Sequence, residues 1–311
     1  MSDIKLFRYG AESVTELESK AAVVEKQLQQ LIEEQMEAFL GVRFLATEYS
    51  TGKTHKGRID SLGLDENGCP VIIEYKRHTN ENVINQGLFY LDWLLDHQAE
   101  FRWLVMEKLG KDAADNIEWD GTRLLCIAGD FTKYDEHAVQ QINRNIELLR
   151  YKLFANDLLM LELVNAITTT PSPKSRQIST QTESKPVNGE RRDTHSARIE
   201  QADDALMSLY EAICDFTESL GEEVQRKELK LYTAFKKIRN FACVQIWAPQ
   251  RDPQIRMYLK LNPDEVTLEA NLVSDVRDKG HWGTGDVEVL VRSHEDWQKV
   301  QPLIERAYQE N

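Results

Sequence analysis

The chain has 311 residues, of which 41% are hydrophobic and 29% are charged, enough apolar material for one large or two ordinary globular domains. Its 52 acidic and 38 basic side chains give a formal net charge of −14, so any contact with a polyanion such as nucleic acid must be local. No uncharged apolar run approaches the ~18 residues that span a bilayer, and the N-terminus has no signal-peptide core. We therefore expect neither a chain that is disordered throughout nor a secreted, membrane or transport protein.

The four cysteines are widely spaced, and no two of them form the CxxC pair typical of zinc or redox sites. Each lies in or beside an apolar stretch: Cys69, Cys126, Cys214 and Cys243. We expect buried free thiols rather than disulfide bonds, since disulfides persist in oxidising compartments. This pattern favours a cytoplasmic protein.

The clearest change in composition runs from residue 168 to residue 195, TTTPSPKSRQISTQTESKPVNGERRDTH, with three prolines and hardly any apolar residue. Such a segment cannot bury enough apolar surface to fold, so it predicts a flexible linker. The linker divides the chain into an N-terminal domain, residues 1–167, and a C-terminal domain, residues 196–311.

Hydrophobic periodicity predicts the elements of the N-terminal domain. In chain order they are a helix over Val14–Leu40, a strand over 42–49, a hairpin over 57–76, a long helix over 80–109, a strand over 122–129, a helix over 134–147, and strands over 148–154 and 158–165. On the long helix, Trp93, Phe101 and Trp103 recur at near-helical spacing, and we expect them in the core. The order of elements predicts an α/β fold in which helices flank a mixed sheet.

The C-terminal domain begins with a helix through Met207, Leu209, Ile213 and Phe216 and ends with a helix over 295–308. Between them lie four strand-like runs, LYTAF, NFACVQIW, IRMYLKL and DVEVLVRS. These elements predict a smaller α+β unit.

Basic residues are concentrated in one part of the C-terminal domain. Six fall close together, interrupted by one acid: Arg226, Lys227, Lys230, Lys236, Lys237 and Arg239. One interpretation is contact with a nucleic-acid backbone, with Lys236, Lys237 and Arg239 at phosphates. The alternative is a solvated turn between a helix and a strand.

The predicted hairpin carries the most distinctive chemistry. Asp60 lies in its first strand, and Glu74 and Lys76 lie in its second. Residues two apart on a strand point to the same face, so Glu74 and Lys76 share a face while Tyr75 points away. A two-residue turn would place Asp60 opposite Tyr75. A three-residue loop that ends at a left-handed Gly68 places Asp60 opposite Glu74, and only this register brings both carboxylates to one face.

An aspartate and a glutamate at a sheet end, with a lysine beside them, form a hard-oxygen site that suits Mg²⁺ or Mn²⁺. A cation held there polarises a phosphate oxygen and lowers the pKa of a bound water, and the lysine stabilises developing charge. This chemistry hydrolyses phosphodiester bonds. The alternative is a surface hairpin that carries an ordinary cross-strand ion pair.

Three segments resemble the PD-(D/E)XK nuclease superfamily, specifically its NucS-like, RecB-related branch: GRID (57–60), VIIEYKR (71–77) and QGLFY (86–90). The resemblance spans roughly residues 20–165. It implies a restriction-endonuclease-like fold and a metal-dependent nuclease. Tyr75 stands where an aliphatic residue is more usual in this family.

The resemblance also implies roles for five residues, which we take as the catalytic set. Asp60 and Glu74 are expected to bind the metal, and Lys76 is expected to assist the nucleophile. Gln86 and Tyr90 lie one helical turn apart and are expected to project towards the metal and the scissile phosphate.

A glutamate on the first helix often completes the metal site in this family. Glu25 fits the family pattern best and is expected to be the third metal ligand. Glu33 and Glu34 are the alternatives.

Cations near the hairpin are candidates for contact with phosphate. Arg58 is expected opposite Lys76, and Arg77 follows that lysine directly. For Arg58, a plain ion pair with a neighbouring carboxylate is an equally good interpretation. His78 is expected to face solvent in a loop.

In the C-terminal domain, NFACVQIW, IRMYLKL and GHWGTGDVEV resemble a domain of unknown function that recurs beside such nuclease domains. That resemblance implies an accessory domain and no chemistry of its own.

The leading hypothesis is a cytoplasmic endonuclease that depends on Mg²⁺ or Mn²⁺ and acts on nucleic acid, with DNA favoured over RNA. The C-terminal domain would select the substrate or a partner, either a second copy of the chain or another protein. The alternatives are a nucleic-acid-binding protein that does not cleave, and a regulatory interaction protein whose C-terminal domain is the working part.

Overall fold

The computed structural model of the protein describes residues 4–10, 13–20, 25–52, 56–77, 82–155, 157–167, 194–249, 251–281 and 283–311. The chain divides into two units, Met1–Thr168 and Thr169–Asn311. The expected linker, 168–195, lies outside the described residues except for its last two. Those two residues are not linker, because Thr194 is the N-cap of a helix that begins at His195.

The first unit combines strands and helices along the chain. Its strands are β1 (Leu6–Tyr9), β2 (Val14–Leu17), β3 (Ser19–Lys20), β4 (Val42–Ser50), β5 (Arg58–Asp65), β6 (Pro70–Lys76), β7 (Arg123–Ala128), β8 (Asn145–Phe154) and β9 (Leu158–Ile167). Its helices are α1 (Glu25–Glu34), α2 (Met36–Leu40), α3 (Asn82–Asp96), α4 (Gln98–Leu109), α5 (Lys111–Asp115) and α6 (Lys133–Gln140).

A seven-stranded mixed sheet organises this unit, in the order β3-β8-β7-β6-β5-β4 with β9 paired to β8. The pairs β4–β5, β5–β6 and β8–β9 are antiparallel, whereas β6–β7 and β7–β8 are parallel. Parallel strands at the centre of a sheet are covered on both faces, and every residue of β7 is buried. The predicted α/β fold with a mixed sheet and helices is confirmed.

Helices α1 and α3 contact opposite faces of the β5–β6 hairpin. On one face, Leu62 and Ile72 pack in the core with Leu94 of α3. On the other, the Ser61 hydroxyl donates to Glu33 of α1 at 2.6 Å. The hairpin is therefore held between two helical layers, which fixes where its polar end lies.

The expectation of one helix over Val14–Leu40 is wrong for its first part. Val14–Leu17 forms β2, which pairs antiparallel with β1, and Ser19–Lys20 forms β3 on the main sheet. Helix α1 begins only at Glu25. Strand pairing depends on partners elsewhere in the chain, so helical spacing alone gave the wrong element.

The long helix that the periodicity predicts is in fact two helices, α3 and α4, which meet at His97. The His97 backbone leaves the helical region with φ −111° and ψ 38°, and its ring stacks on Trp93 with centroids 4.7 Å apart. Trp93 and Phe101 are buried as expected, but Trp103 is 68% exposed. The break changes the helical phase, and the buried face of α4 then runs through Phe101 and Leu104.

The helix expected over 134–147 is also shorter. Helix α6 ends at Gln140, and β8 begins at Asn145, which pairs with Arg123 of β7. The last three residues of the predicted helix are therefore in a parallel strand, because their pairing with β7 outweighs local helical spacing.

The second unit contains α7 (His195–Gln201), β10 (Gln225–Glu228), β11 (Thr233–Lys236), β12 (Asn240–Trp247), β13 (Gln254–Leu259), β14 (Val273–Asp275) and β15 (Val287–Val291). Two longer helices, α8 (Asp204–Ser219) and α9 (His294–Glu310), complete it. The strands form one antiparallel sheet in the order β10-β11-β12-β13-β15-β14. Both α8 and α9 pack against one face of this sheet in a single apolar core.

The cysteines are free and buried, as expected: Cys69, Cys126, Cys214 and Cys243. Within the described ranges, no helix has the length and apolar character needed to cross a membrane.

Candidate active site

The β5–β6 hairpin closes with a three-residue loop. The Asp65 N–H donates to the Cys69 carbonyl at 2.9 Å, which leaves Glu66, Asn67 and Gly68 as the loop. Gly68 has a φ of +77°, the left-handed conformation that glycine adopts without strain. The Asp65 carboxylate accepts the N–H groups of Asn67 and Cys69, each at 2.9 Å, and so fastens the turn.

This loop sets the register that the site requires. Ser61 pairs with Ile73 across the hairpin, so the next residues, Asp60 and Glu74, lie opposite each other. Directly opposed residues in an antiparallel pair share a face. The expected register is therefore confirmed, and the alternative with Asp60 opposite Tyr75 is excluded.

Asp60 and Glu74 each use one carboxylate oxygen to hold the opposite strand. Glu74 Oε1 accepts the Asp60 N–H at 3.2 Å, and Asp60 Oδ2 accepts the Tyr75 N–H at 3.0 Å. These bonds leave the second oxygen of each carboxylate for another ligand. Glu74 Oε2 is buried and has no hydrogen-bond partner among the described residues.

The two carboxylates lie in surroundings that disfavour negative charge. Glu74 is fully buried, and this burial together with the charge of Asp60 raises the pKa of Glu74 to about 8. Burial also raises the pKa of Asp60 above its ordinary value, although the Tyr75 N–H and the Lys76 ammonium oppose the rise. A cation between the carboxylates removes both penalties, so the pair is suited to bind one.

Lys76 is close to Glu25. Its Nζ lies 3.7 Å from Glu25 Oε2 at the start of α1, and Glu25 Oε1 accepts the Arg77 N–H at 3.2 Å. Across the described ranges, no group of three or more His, Cys, Asp and Glu side chains is arranged to hold a metal ion. The structure thus brings Asp60 and Glu74 together and places Glu25 against Lys76 and Arg77.

The two alternative glutamates of α1 lie elsewhere. Glu33 accepts the Ser61 hydroxyl at 2.6 Å and the Gln29 amide at 2.9 Å, on the face of the hairpin opposite the carboxylate pair. Glu34 is exposed. Neither is placed with the carboxylate pair.

Gln86 and Tyr90 are brought together, and they hold the start of β5. The Tyr90 hydroxyl accepts the Gln86 amide at 3.3 Å and the Arg58 N–H at 3.2 Å. The Tyr90 ring lies so close to Gly57 that a Cβ atom there would be 2.4 Å from Tyr90 Cε1. The glycine that begins GRID is thus required for the close approach of α3 to the strand that carries Asp60.

Glu48 of β4 is a third carboxylate that the sequence did not single out. It lies between the pairs Thr47–Ser61 and Tyr49–Ile59, which places it across from Asp60 on the side away from Glu74. Its φ is +50°, a value that is uncommon for residues other than glycine. The register of β4 against β5 shifts between Phe44 and Ala46, and since the sequence gives no sign of this bulge, the position of Glu48 could not be inferred from it.

Glu48 is held by two cations. Its carboxylate lies 2.5 Å from Arg58 Nε and 3.1 Å from Lys26 Nζ. Arg58 therefore forms the ion pair that was one of its two interpretations, although its side chain remains 69% exposed. Arg77 is exposed at the end of β6, and His78 lies outside the described residues.

The cationic cluster of the second unit is only partly accessible. Lys236 is 4% exposed. Lys237 Nζ donates to the Tyr308 carbonyl at 2.7 Å and lies 4.4 Å from the centroid of the Tyr308 ring, and burial lowers the pKa of Lys237. Arg239 is half-buried beside them. The interpretation as a solvated turn between a helix and a strand is therefore wrong for this cluster, since Arg226 and Lys227 lie in β10 and the buried Lys236 lies in β11.

Comparison with protein families and with curated proteins gives two matches. The profile of a family described as a domain of unknown function, DUF5655, matches residues 195–311, which is the second unit from the start of α7. An uncharacterized protein of Haemophilus influenzae is 28% identical over 306 residues, covering 98% of this chain and 99% of that protein.

Two solved structures are similar to part of the chain. A repair endonuclease from Pyrococcus abyssi matches with 20% identity and a TM-score of 0.28, over 42% of this chain and 48% of that one. A complex of EndoMS with double-stranded DNA matches with 20% identity and a TM-score of 0.25, over 40% of this chain and 44% of that one. The matched region spans less than half the length of either solved chain.

Proposed function

We propose that the first unit is a metal-dependent nuclease that hydrolyses phosphodiester bonds of nucleic acid, with DNA favoured over RNA. The observation that carries this proposal is the carboxylate pair: Glu74 is fully buried with an unpartnered oxygen, and Asp60 lies directly across the hairpin. A carboxylate buried in this way costs free energy unless a proton or a cation neutralises it, and a cation can displace the proton. The proposal assigns the mixed sheet to the restriction-endonuclease-like fold.

The residues fit Mg²⁺ or Mn²⁺. Both are bound by oxygen ligands, and Mg²⁺ is typically held by one or two carboxylates while water and substrate phosphate supply the other ligands. Asp60 and Glu74 each keep one oxygen out of the hydrogen bonds that fasten them to the main chain. Two carboxylates are therefore a sufficient protein contribution, and Glu25 is proposed as a ligand reached through water.

When bound, the cation polarises a phosphate oxygen and lowers the pKa of a water molecule. Side chains of the protein position the attacking water and the phosphate. Lys76, half-buried beside the carboxylates, places an ammonium group where it orients the attacking water and stabilises charge on the phosphate. Glu25 holds Lys76 through the 3.7 Å ion pair and so limits its freedom before substrate arrives.

Gln86 and Tyr90 position the substrate and the strand that carries Asp60. Tyr90 accepts two hydrogen bonds, so its own O–H remains available to donate to a substrate oxygen. Through the Arg58 N–H it also fixes the strand that carries Asp60. Arg58 and Arg77 are the proposed contacts to neighbouring phosphates, which position the strand without reading its sequence.

The second unit is proposed as an accessory domain that selects the substrate or a partner, either a second copy of this chain or another protein. Lys236, Lys237 and Arg239 remain candidates for contact with nucleic acid only if their internal contacts open.

The proposal is tested with labelled single-stranded, duplex and branched DNA and RNA incubated with Mg²⁺ or Mn²⁺. We expect metal-dependent cleavage that Glu74→Gln abolishes and that Glu107→Gln leaves unchanged, because Glu107 is an exposed carboxylate on α4. DNA binding without cleavage in any metal would favour the non-cleaving alternative. Absence of both DNA binding and cleavage would favour the alternative of a regulatory interaction protein.

A further inference from the structure

One face of the sheet of the second unit packs in the main apolar core, and the other face carries a smaller apolar cluster around Cys243 and Tyr258 and a polar part, here called the polar face, near the β12–β13 turn. Alternate residues of β12 and β13 pack into the core with α8 and α9, among them Val244, Ile246, Ile255 and Met257. The residues between them point to the opposite face. Near the turn that joins the two strands, that face carries Gln245, Trp247, Gln254 and Arg256.

Two guanidinium groups meet at one indole ring on this polar face. The central guanidinium carbon of Arg256 lies 4.0 Å from the centroid of the Trp247 ring. That of Arg198, on α7, lies 5.5 Å from the same centroid. A guanidinium stacked on an aromatic ring keeps its N–H groups in its own plane, where they point past the ring and can donate to a ligand.

Arg256 is not held by a carboxylate. Among the described residues Arg256 forms no ion pair, and the nearby Asp252 is bound instead by Arg292 at 2.8 Å. Glu288, on the adjacent strand, accepts the hydroxyls of Tyr258 and Ser274. Arg256, in a central strand, is therefore bound by no carboxylate of the described residues, although it lies close enough to Asp252 to help lower the pKa of that carboxyl.

Two polar atoms on this face are buried without a partner. Arg256 Nε is a donor and Gln254 Oε1 is an acceptor, and neither forms a hydrogen bond within the described part of the chain. Gln254 is 2% exposed, and it lies two residues from Arg256 on the same face of β13. Buried polar atoms in native proteins are nearly always satisfied, so this pair indicates a missing group that both accepts and donates hydrogen bonds.

From these contacts we infer that Arg256, Gln254 and Trp247, together with Arg198, bind the phosphate group of a nucleotide. The planar fork of Arg256 matches two phosphate oxygens. The Gln254 oxygen requires a donor, which the sugar hydroxyl of a nucleotide supplies beside its phosphate. Arg256 and Trp247 are only half-buried, so a ligand can reach them from solvent.

The same chemistry is offered by a free nucleotide and by the 5′-phosphorylated end of an RNA strand, whose terminal ribose keeps its 2′-hydroxyl. The site lies wholly within the second unit and does not depend on the nuclease proposed for the first. Its success or failure is therefore separate from that of the proposed function.

The test uses the full-length chain and five probes: adenosine 5′-monophosphate, adenosine, inorganic phosphate, and a diribonucleotide with and without a 5′-phosphate. Binding is measured by calorimetry and by the indole N–H resonance of Trp247, which is assigned with Trp247→Phe. We expect adenosine 5′-monophosphate to bind and shift this resonance, inorganic phosphate to bind more weakly, and adenosine not to bind. Tighter binding of the phosphorylated dinucleotide than of the mononucleotide would identify a strand end as the source.

Two variants locate the site. Arg256→Gln should weaken binding about tenfold or more, as expected for loss of a charged hydrogen bond. The matched control is Arg306→Gln, since Arg306 lies on α9 and is paired with Glu310 and Glu265. Gln254→Glu should abolish binding and raise the thermal stability, because the new carboxylate pairs with Arg256 in place of the ligand.

Several results would overturn the inference. These are no binding of phosphate or adenosine 5′-monophosphate by the wild type, equal binding of adenosine and its monophosphate, or unchanged affinity in Arg256→Gln. Unchanged stability and unchanged binding in Gln254→Glu would show that water alone bridges Arg256 and Gln254, and would also refute it.

Discussion

The sheets of the two units leave groups of opposite charge type without a bound partner, carboxyl groups on the first sheet and a guanidinium on the second. At the end of the first sheet, Asp60 and Glu74 face each other, and the buried Glu74 oxygen has no partner among the described residues. On the second sheet, Arg256 stands over Trp247 and forms no ion pair within the described chain. Each sheet thus presents an ionisable group that a ligand of the opposite charge would bind.

A third charged cluster, around Arg123, has a purely structural role. Arg123, at the other end of the first sheet, is 3% exposed and lies 3.3 Å from Asp65 and 2.6 Å from Glu147. Its counter-charges come from the protein itself. Burial alone therefore does not mark a ligand site, whereas burial without a counter-charge does.

The largest expected effect concerns the carboxylate pair. Asp60→Asn, Glu74→Gln and Lys76→Ala should each reduce metal-dependent cleavage by about a thousandfold or more, because each removes a charge that acts on the cation or the phosphate. Gln86→Ala should reduce it less, since Gln86 acts through the Tyr90 hydroxyl. Initial rates on a labelled DNA substrate measure this. Wild-type rates in all three charge variants would place the active site elsewhere.

The pH dependence of stability should differ in sign between the units, and the effect in the first unit should extend over the wider pH range. The pKa of Glu74 is raised from 4.5 to about 8, so the folded state keeps a proton that the unfolded state has released. The free energy of unfolding should then fall as pH rises from about 4.5 to about 8, by at most about 1.4 kcal/mol per pH unit. Urea denaturation with a chelator present measures it. Glu74→Gln should flatten the slope, and an identical slope in that variant would contradict the assignment.

The second unit should lose stability as pH falls, whereas the first unit should lose it as pH rises. His195 lies 3.2 Å from the Tyr210 hydroxyl and 3.1 Å from the Thr233 hydroxyl, and burial, with the nearby charge of Arg198, lowers its pKa from 6.5 to about 4. Between about pH 4 and about pH 6.5, His195 is therefore protonated in the unfolded state but not in the folded state. The free energy of unfolding should then fall as pH drops from about 6.5 to about 4. Hydrogen exchange of peptides from β11 measures this locally. Equal protection at pH 6.5 and pH 4.5, after correction for intrinsic exchange, would refute it.

The smallest effect should come from Glu48. Its carboxylate holds Arg58 and Lys26, so Glu48→Gln should release both cations and remove one negative charge near the phosphate path. We expect affinity for DNA to rise a few-fold and the slope of log affinity against log salt to steepen by about 1 to 2, from about 0.9 per new phosphate contact. Fluorescence anisotropy in a chelating buffer measures both, with Glu107→Gln as the control. Loss of divalent-cation binding in Glu48→Gln would instead make Glu48 a metal ligand.

The carboxylate pair was predictable because it depends on local chemistry. A left-handed Gly68 fits both a two-residue and a three-residue loop, and only the requirement that both carboxylates share a face favoured the longer loop, which the structure has. The position of Glu48 was not predictable, because it depends on a bulge in β4. The strand at Val14–Leu17 was missed for a similar reason, since its partner β1 lies outside the helical window.

The contacts on the polar face of the second sheet could not be predicted from the sequence either. Arg256 is one cation in the apolar run IRMYLKL, and alternation assigns it only to a solvent-facing side. The contact between Arg256 and Trp247 depends on the pairing of β12 with β13. The contact between Arg198 and Trp247 depends on the packing of α7. Contacts between separate elements determine such sites, and a single sequence does not specify them.

The most direct test of the account is a calorimetric titration of the full-length protein with Mn²⁺, in wild type, Glu74→Gln and Glu107→Gln. If Asp60 and Glu74 form a cation site, the wild type and Glu107→Gln should each bind one Mn²⁺ with the same affinity, and Glu74→Gln should lose most of that affinity. Absence of binding in the wild type, or equal binding in Glu74→Gln, would contradict the account.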